Sequence, residues 1–487
     1  MELIWNDLMA ERVVYCGVAQ ALVEGEIPQI EGRPASEILS ATGDVTLTGT
    51  EAAEGAVRLS GEVRLQLICT GEGGVFAFTS KAAFRHTVQA EGAAAGMSVK
   101  ASPALQSMEV KLEDGRITLN AVADIALRVT DSAPIKALCG VEGAPDLEIQ
   151  GRCLTLMKRE AVFQDVLPLR EEIDAADAHA VLQSDVVASL RDIQCSGQGA
   201  ELSGSLTVSA LIEGENSRLF QLTQNIPFTE TLDVVGGEDL RAELRLEDAQ
   251  VRAAEEFGLL VVDVRLKVCL YAARSVETTL PEDMFSPTLP FTCQRETVRL
   301  CGDMGPLNHR QTLHETVSVP AGLPEVRRVI YTAVRPVITA CAVADERLCA
   351  EGLLVTRVLY ESESGALYAF TEDIPFETAC PAPGATEALT NAMATATAGG
   401  SGRSLEVSYN LQLNASLAAQ RTETVVTGIE ECARPNPPKG VIVYFAGAGE
   451  TLYDVAKRFS IPRKALGEAL GADSDTLTEG QKLVFLS

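Results

Sequence analysis

The chain has 487 residues, of which 46% are hydrophobic, 22% charged and only 5% aromatic, and its formal net charge is −28. That length divides into about three or four domains, and the composition excludes a disordered chain while placing aliphatic side chains in the cores. So acidic a protein is repelled by nucleic acid and by anionic membrane surfaces, which excludes both as partners.

The first residues, Met1-Glu2-Leu3-Ile4-Trp5-Asn6-Asp7, carry acidic groups where a signal peptide needs basic ones. The longest apolar runs, such as Phe257 to Val262, are far short of a membrane span. The expected compartment is therefore the cytoplasm, and the twelve cysteines, none in a Cys-x-x-Cys pair, are expected to be reduced.

Residues 20 to 430 hold one pattern three times. Its clearest element is a long strand carrying a glycine: Val57 to Leu67 around Gly61, Leu202 to Val208 around Gly204, and Gly352 to Tyr360. The first two alternate apolar and polar residues, the sign of a half-buried strand. The glycines are 143 and 148 residues apart. Phe84, Phe228 and Phe376 follow them at 23, 24 and 24 residues, and Leu127, Leu270 and Leu417 at 66, 66 and 65. The leucines lie near the ends of the alternating runs Ile117–Val129, Leu259–Tyr271 and Leu405–Leu417. Offsets that agree over about 90 residues mean three copies of one β-rich domain.

The front halves are less regular. Ile27-Pro28 through Pro34 and Glu37-Ile38-Leu39 open the first copy, and Val319-Pro320 through Pro324 and Val329-Ile330 open the third. In the second copy Leu167-Pro168 to Ile173 reads as a degraded version. The expected fold is three tandem all-β repeats, each a sandwich or open barrel, over residues 1–155, 156–308 and 309–432.

Chemistry along this body is sparse. Cys293, Cys301, His309 and His314 are the best metal candidates, but their spacing is far wider than that of zinc knuckles, so core cysteines and exposed histidines are expected. The carboxylate pairs Glu171-Glu172 and Glu255-Glu256 read as solvated acidic faces, not as glycosidase machinery. With four histidines and no nucleophile elbow, P-loop or H-E-x-x-H, no catalytic site and no cofactor are expected.

A proline-rich linker, 433–440, leads to residues 441–487. From Lys439 onward six basic residues balance six acidic ones, so the net charge resides on the body. Val441 to Phe445 reads as a strand, followed by Ala446-Gly447-Ala448-Gly449 as its exit. Thr451 and Asp454 form a capping pair, and Leu452, Val455, Ala456 and Phe459 make one helical face. Pro462 opens a second helix with Ala465, Leu466, Ala469 and Leu470 as its apolar stripe, Gly471 caps it, and Lys482 to Leu486 forms a closing strand. The predicted order is β-α-α-β.

Two resemblances follow from these residues. Gly449-Glu450-Thr451-Leu452-Tyr453 and Gly480-Gln481-Lys482-Leu483 resemble the opening and closing motifs of LysM domains, with Leu470 and Leu486-Ser487 departing from the usual Asn and Ile-Pro. The opening Ile-Pro, the following proline, Glu-Ile-Leu, and the strands from Arg58 to Gly61 and Gly352 to Tyr360 are similar to the SPOCS domain of clostridial sporulation proteins. Together the arrangement resembles a family of spore coat morphogenetic proteins that bind the ATPase of the coat's basement layer, stage IV sporulation protein A.

The resemblance implies a non-enzymatic assembly protein that docks to that ATPase or another coat protein through the LysM domain, while the repeats contact further coat proteins. It also implies binding loops at Gly449, Glu450, Thr451, Leu452 and Tyr453 and at Ser474, Asp475, Thr476, Leu477 and Thr478. Thr451 as a helix cap and Leu452 as a core residue satisfy the same positions. Lys457, Arg458, Arg463 and Lys464 form a small basic patch able to steer an acidic partner. The alternative implied by LysM is a wall-associated protein that binds peptidoglycan or chito-oligosaccharide.

Overall fold

The computed structural model describes residues 2–8, 10–196, 199–234, 239–254, 258–433, 440–470 and 475–486. Strands dominate. A short β1 (Leu3–Leu8) precedes the first repeat, which contains β2 (Glu11–Ile27), β3 (Glu37–Ala53), β4 (Ala56–Gly71), β5 (Gly74–Gln89), β6 (Ser98–Glu113) and β7 (Arg116–Asp131). After β8 (Ile135–Val141) the second repeat comprises β9 (Glu148–Asp174), β10 (Ala178–Ser196), β11 (Gly199–Gly214), β12 (Leu219–Leu232), β13 (Arg241–Ala253) and β14 (Leu259–Phe285). The third comprises β15 (Phe291–Ser318), β16 (Val326–Ala344), β17 (Arg347–Ser362), β18 (Leu367–Pro381), β19 (Glu387–Ser401) and β20 (Ser404–Glu431).

Each repeat is a sandwich of two three-stranded antiparallel sheets. The second, third and fourth strands form one sheet as a meander: β3-β4-β5, β10-β11-β12 and β16-β17-β18. The chain then crosses back, and the fifth and sixth strands join the first: β6-β7-β2, β13-β14-β9 and β19-β20-β15. The first and last of these run on as one six-stranded sheet where Arg12 and Glu11 of β2 pair with Leu300 and Cys301 of β15. Period-two alternation sends one set of side chains between the sheets, as Val63, Leu65 and Leu67 meet Ile117, Leu119 and Ile125.

The recurring glycine and phenylalanine are direct cross-strand neighbours: Gly61 faces Phe84, Gly204 faces Phe228 and Gly352 faces Phe376. The ring lies over the glycine, so a Cβ at Gly61 would come within 2.5 Å of the Phe84 ring and 2.7 Å of the Thr46 carbonyl. Glycine is needed here for close approach.

The repeat boundaries expected after residues 155 and 308 fall inside β9 and β15, because these first strands are far longer than a sandwich requires. Leu167-Pro168 accordingly lies in mid-strand, opposite Leu266 and Arg265. The true counterpart of Ile27, which pairs with the start of β7, is Ile173, which pairs with the start of β14. The second repeat's front half looks degraded because β9 ends at Asp174 and β10 begins at Ala178, leaving no room for the proline loop.

The extra length makes ribbons that project from the sandwiches. Residues 148–160 pair with 272–285, 291–303 pair with 418–431, and β1 with β8 supplies the equivalent for the first repeat. Ile135 and Ala137, Leu154 and Leu280, and Val298, Leu300 and Val425 bury one another where the ribbons meet.

The sandwiches pack around an approximate threefold axis. Leu39, Leu182 and Ile330 each precede their strand glycine by 22 residues, Ile68, Leu211 and Leu359 each follow it by seven, and the six share one apolar cluster. Burying each is worth about 1.5–3 kcal/mol. Beside it runs a cyclic set of polar contacts: Tyr331 donates to Asp185 (2.9 Å) and Gln183 to Thr42 (2.8 Å), each from the same repeat position to the same position of the preceding repeat. The third arm would start at Ser40 and end at residue 333, which is alanine, and the buried Ser40 hydroxyl has no partner among the described residues.

The C-terminal unit has β21 (Val441–Phe445), α1 (Leu452–Phe459), α2 (Arg463–Leu470) and β22 (Lys482–Leu486), with the two strands antiparallel. Among the described residues no helix is long and apolar enough to cross a membrane.

Candidate functional site

The C-terminal unit is built around a helix start. Thr451 is extended at the N-cap, its Oγ1 accepts the Asp454 N–H (3.2 Å), and the Asp454 carboxylate accepts the Thr451 N–H (2.9 Å). Such a reciprocal box satisfies two otherwise orphaned donors. The helix ends at Ser460, which is left-handed with φ of 52°. Leu452, Tyr453, Val455 and Ala456 then pack with Leu466, Leu477, Leu483 and Phe485.

The structure brings together the two loops singled out in the sequence. The Leu452 N–H donates to the Asp475 carbonyl (2.8 Å), the Leu477 N–H donates to the Glu450 carbonyl (3.3 Å), and Thr451 bridges to Thr476. Gly449, Asp475, Thr476 and Thr478 are exposed, Glu450 and Thr451 are half-buried, and Leu452, Tyr453 and Leu477 are buried. Ser474 lies outside the described residues, as do Gly471 and most of the linker, 434–439.

Glu450 is the electrostatic centre of this loop. It accepts from the Gly447 N–H (2.8 Å) and the Tyr444 hydroxyl (2.8 Å), and Arg458 pairs with it at 2.7 Å. These contacts, the Gly447 N–H foremost, hold its carboxyl below the ordinary range. Arg458 also lies over the Tyr444 ring, 5.3 Å from its centroid.

Tyr453 points away from the loops and into the body, where its ring meets Phe285 at the tip of β14. Burial, with the nearby Asp283 carboxylate, pushes its hydroxyl well above the ordinary value. Asp283 also pairs with Lys457 and, at 2.6 Å, with Arg295, while the Glu148 carboxylate accepts the Arg463 N–H at 3.1 Å. The basic patch is therefore largely engaged. Lys457 and Arg458 have carboxylate partners, Arg463 lies 3.7 Å from Asp475, and Lys464 lies 3.9 Å from Glu468.

What remains open is the outer face of the two-stranded sheet. Val441 is opposite Leu486 and Val443 is opposite Val484, with Phe445 next along the face. These five side chains are 43–76% exposed, whereas Leu483 and Phe485 face inward. The alternation of Val441, Val443 and Phe445 signals this face in the sequence, but alternation alone does not say which side is covered. A contiguous solvent-accessible apolar face on so small a unit makes it the candidate interaction surface.

Cys293, Cys301, His309 and His314 lie on the single strand β15. At about 3.3 Å per residue the two cysteines are roughly 26 Å apart, so the four side chains cannot surround one ion. Glu171 and Glu172 lie on β9 opposite Val262 and Val261, and Glu255-Glu256 lies outside the described residues.

A second feature, a chamber where the three repeats meet, has no local sequence signal because its lining is drawn from strands hundreds of residues apart.

No curated protein and no solved structure matches the chain. Two stretches, residues 34–113 and 325–398, match the family model described as SipL, SPOCS domain. Each covers the equivalent four strands, β3 to β6 in the first repeat and β16 to β19 in the third, so the chain carries SPOCS-domain sequence on two of its three like-folded sandwiches.

Proposed function

We propose that the chain is a non-enzymatic assembly protein of the spore coat. In this reading the C-terminal unit is a LysM domain that docks on a basement-layer coat protein of the stage IV sporulation protein A type, and the SPOCS-like sandwiches contact further coat proteins. The SPOCS match supports a role in sporulation. The observation that carries the docking role is the outward apolar face of Val441, Val443, Phe445, Val484 and Leu486, on a unit whose opposite side is fixed to the body by Tyr453 and Lys457. The exposure of these side chains leaves a face that a protein partner can bury.

The test is capture of purified basement-layer ATPase by the full chain and by its Val443→Asp/Phe445→Asp variant. Retention is expected for the former and loss for the latter, with the melting transition of the repeats unchanged. Equal capture by both would remove the sheet face from the interface. Retention on insoluble peptidoglycan, competed by chito-oligomers, in place of capture by the ATPase would make the chain a wall-glycan binder instead. A fluorescent fusion is expected to collect around the forespore in the mother cell.

A further inference from the structure

Between the three sandwiches lies a chamber of about 720 Å³, within the range of small-molecule sites. Its wall is drawn from the second and fifth strands of each repeat, so Asp44 of β3, Arg245 of β13 and Arg335 of β16 all reach it. A cleft of about 260 Å³ between the first and second repeats shares part of its wall, and Thr46, Arg64, Arg245 and Glu247 line both. The cleft also contains Lys267.

The charge at this mouth runs against that of the chain. Arg245 and Lys267 are direct cross-strand neighbours, an arrangement of like charges that is destabilising without an anion nearby. Among the described residues neither has a carboxylate within salt-bridge distance, although the Asp44 carboxylate is near enough to Arg245 to feel its charge. Glu247 is paired with Arg265 at 3.7 Å, and Arg64 is shared with Glu62 at 2.8 Å. Of the other carboxylates in the chamber wall, Asp185 accepts from Tyr331, Glu243 from Tyr271 and Asp248 from Gln250, and Asp303 pairs with Lys100, while Asp44 lies opposite Arg64 across β3 and β4. Two polar atoms of the lining are also buried without partners, the Thr46 hydroxyl at the mouth and the Asn391 side-chain carbonyl deeper inside. Buried polar atoms of this kind ordinarily have a hydrogen-bonding partner.

We propose that the chamber binds a small organic anion, carrying a carboxylate or phosphate group together with hydroxyl or amide groups. The charged end lies among Arg64, Arg245 and Lys267 and accepts a hydrogen bond from Thr46. The remainder enters the chamber, where a donor on the ligand satisfies Asn391. Charge-assisted bonds from two or three cations give the mouth its selectivity, and the three-repeat wall gives the chamber its size limit.

Isothermal titration calorimetry of the full chain at low ionic strength, with citrate and inorganic phosphate as probes, tests this. Saturable binding of at least one probe is expected, and the tighter one assigns the anionic group. Arg245→Gln and Lys267→Gln are each expected to weaken it by about tenfold or more, the scale of one lost charged hydrogen bond. Arg245→Lys, which keeps the charge, and Arg116→Gln, on the far exposed end of β7, are expected to retain it. Absence of saturable binding of either probe, meaning a chamber filled by water alone, would overturn the proposal. So would unchanged affinity in both Gln variants, or equal weakening by Arg116→Gln, which would show diffuse attraction instead of a site.

Discussion

Tyr453 meets Phe285 edge-on, with ring centroids 5.2 Å apart and planes inclined at 73°. One ring belongs to the first turn of α1 and the other to the tip of the second repeat's ribbon, so this contact joins the C-terminal unit to the body. Phe285→Ala removes the ring and leaves the Tyr453 face open, at a cost of about 3–5 kcal/mol if the surroundings do not collapse. Hydrogen exchange is expected to quicken across Leu452–Phe459 while the sandwich strands keep their protection. Unchanged exchange in that helix would mean that the Asp283–Lys457 ion pair and the Arg463 N–H hydrogen bond to Glu148 suffice to hold it.

The glycine and phenylalanine pairs are expected to behave as coupled sites. Gly204→Ala puts a methyl group into the Phe228 ring and against the Ser189 carbonyl. It should destabilise the second repeat by about 1–3 kcal/mol, as overpacking does. Adding Phe228→Leu should recover part of that loss, and a double-mutant cycle in urea reads the coupling. Strict additivity would separate the two residues.

The polar ring around the threefold axis is complete in two arms and open in one. Ser40→Ala removes a buried hydroxyl that has no partner, and is expected to leave stability unchanged or raise it by up to about 1 kcal/mol. Gln183→Ala breaks the bond to Thr42 and is expected to destabilise by at least as much. Ala333→Ser, which supplies the missing acceptor, should stabilise the parent but not the Ser40→Ala variant. Chemical denaturation of the parent and the four variants orders them.

Asp185 sets a pH dependence. Burial, reinforced by the Asp44 carboxylate, raises its carboxyl above the ordinary 3.8, against the opposing effect of the Tyr331 hydroxyl. The folded chain thus binds this proton more tightly than the unfolded chain, and stability falls as pH rises from 3.8 through the raised value. Asp185→Asn still accepts from Tyr331 and does not titrate. The variant should gain on the parent through that window and keep a constant advantage above it, as read from melting temperatures between pH 3.5 and 8. A difference that does not vary with pH would mean that Asp185 is not the titrating group.

Much of the architecture was legible because its signals are local. Alternation in Val57–Leu67 and Leu259–Tyr271 marks strands, and the fixed offsets from Gly61, Gly204 and Gly352 to their phenylalanines mark a hairpin whose partners face each other. Thr451 and Asp454 identify a helix start by chemistry confined to four residues. The boundaries at 155 and 308 were misplaced because continuous strands such as β9 carry no punctuation where they leave the sandwich. The burial of Tyr453 depends on Phe285, far away in the chain, and the Arg64–Arg245 mouth joins strands of different repeats. No spacing rule reports such contacts.

The approximate threefold body with a single C-terminal appendage has unequal valence. Under the proposed assembly role the appendage supplies one contact, and the three sandwiches, alike in strand order and different in side chains, supply others. Under that proposal each sandwich is free to recruit a different neighbour. The middle repeat keeps the strand order while lying outside the stretches that match the family, so the surface it offers differs most from the other two.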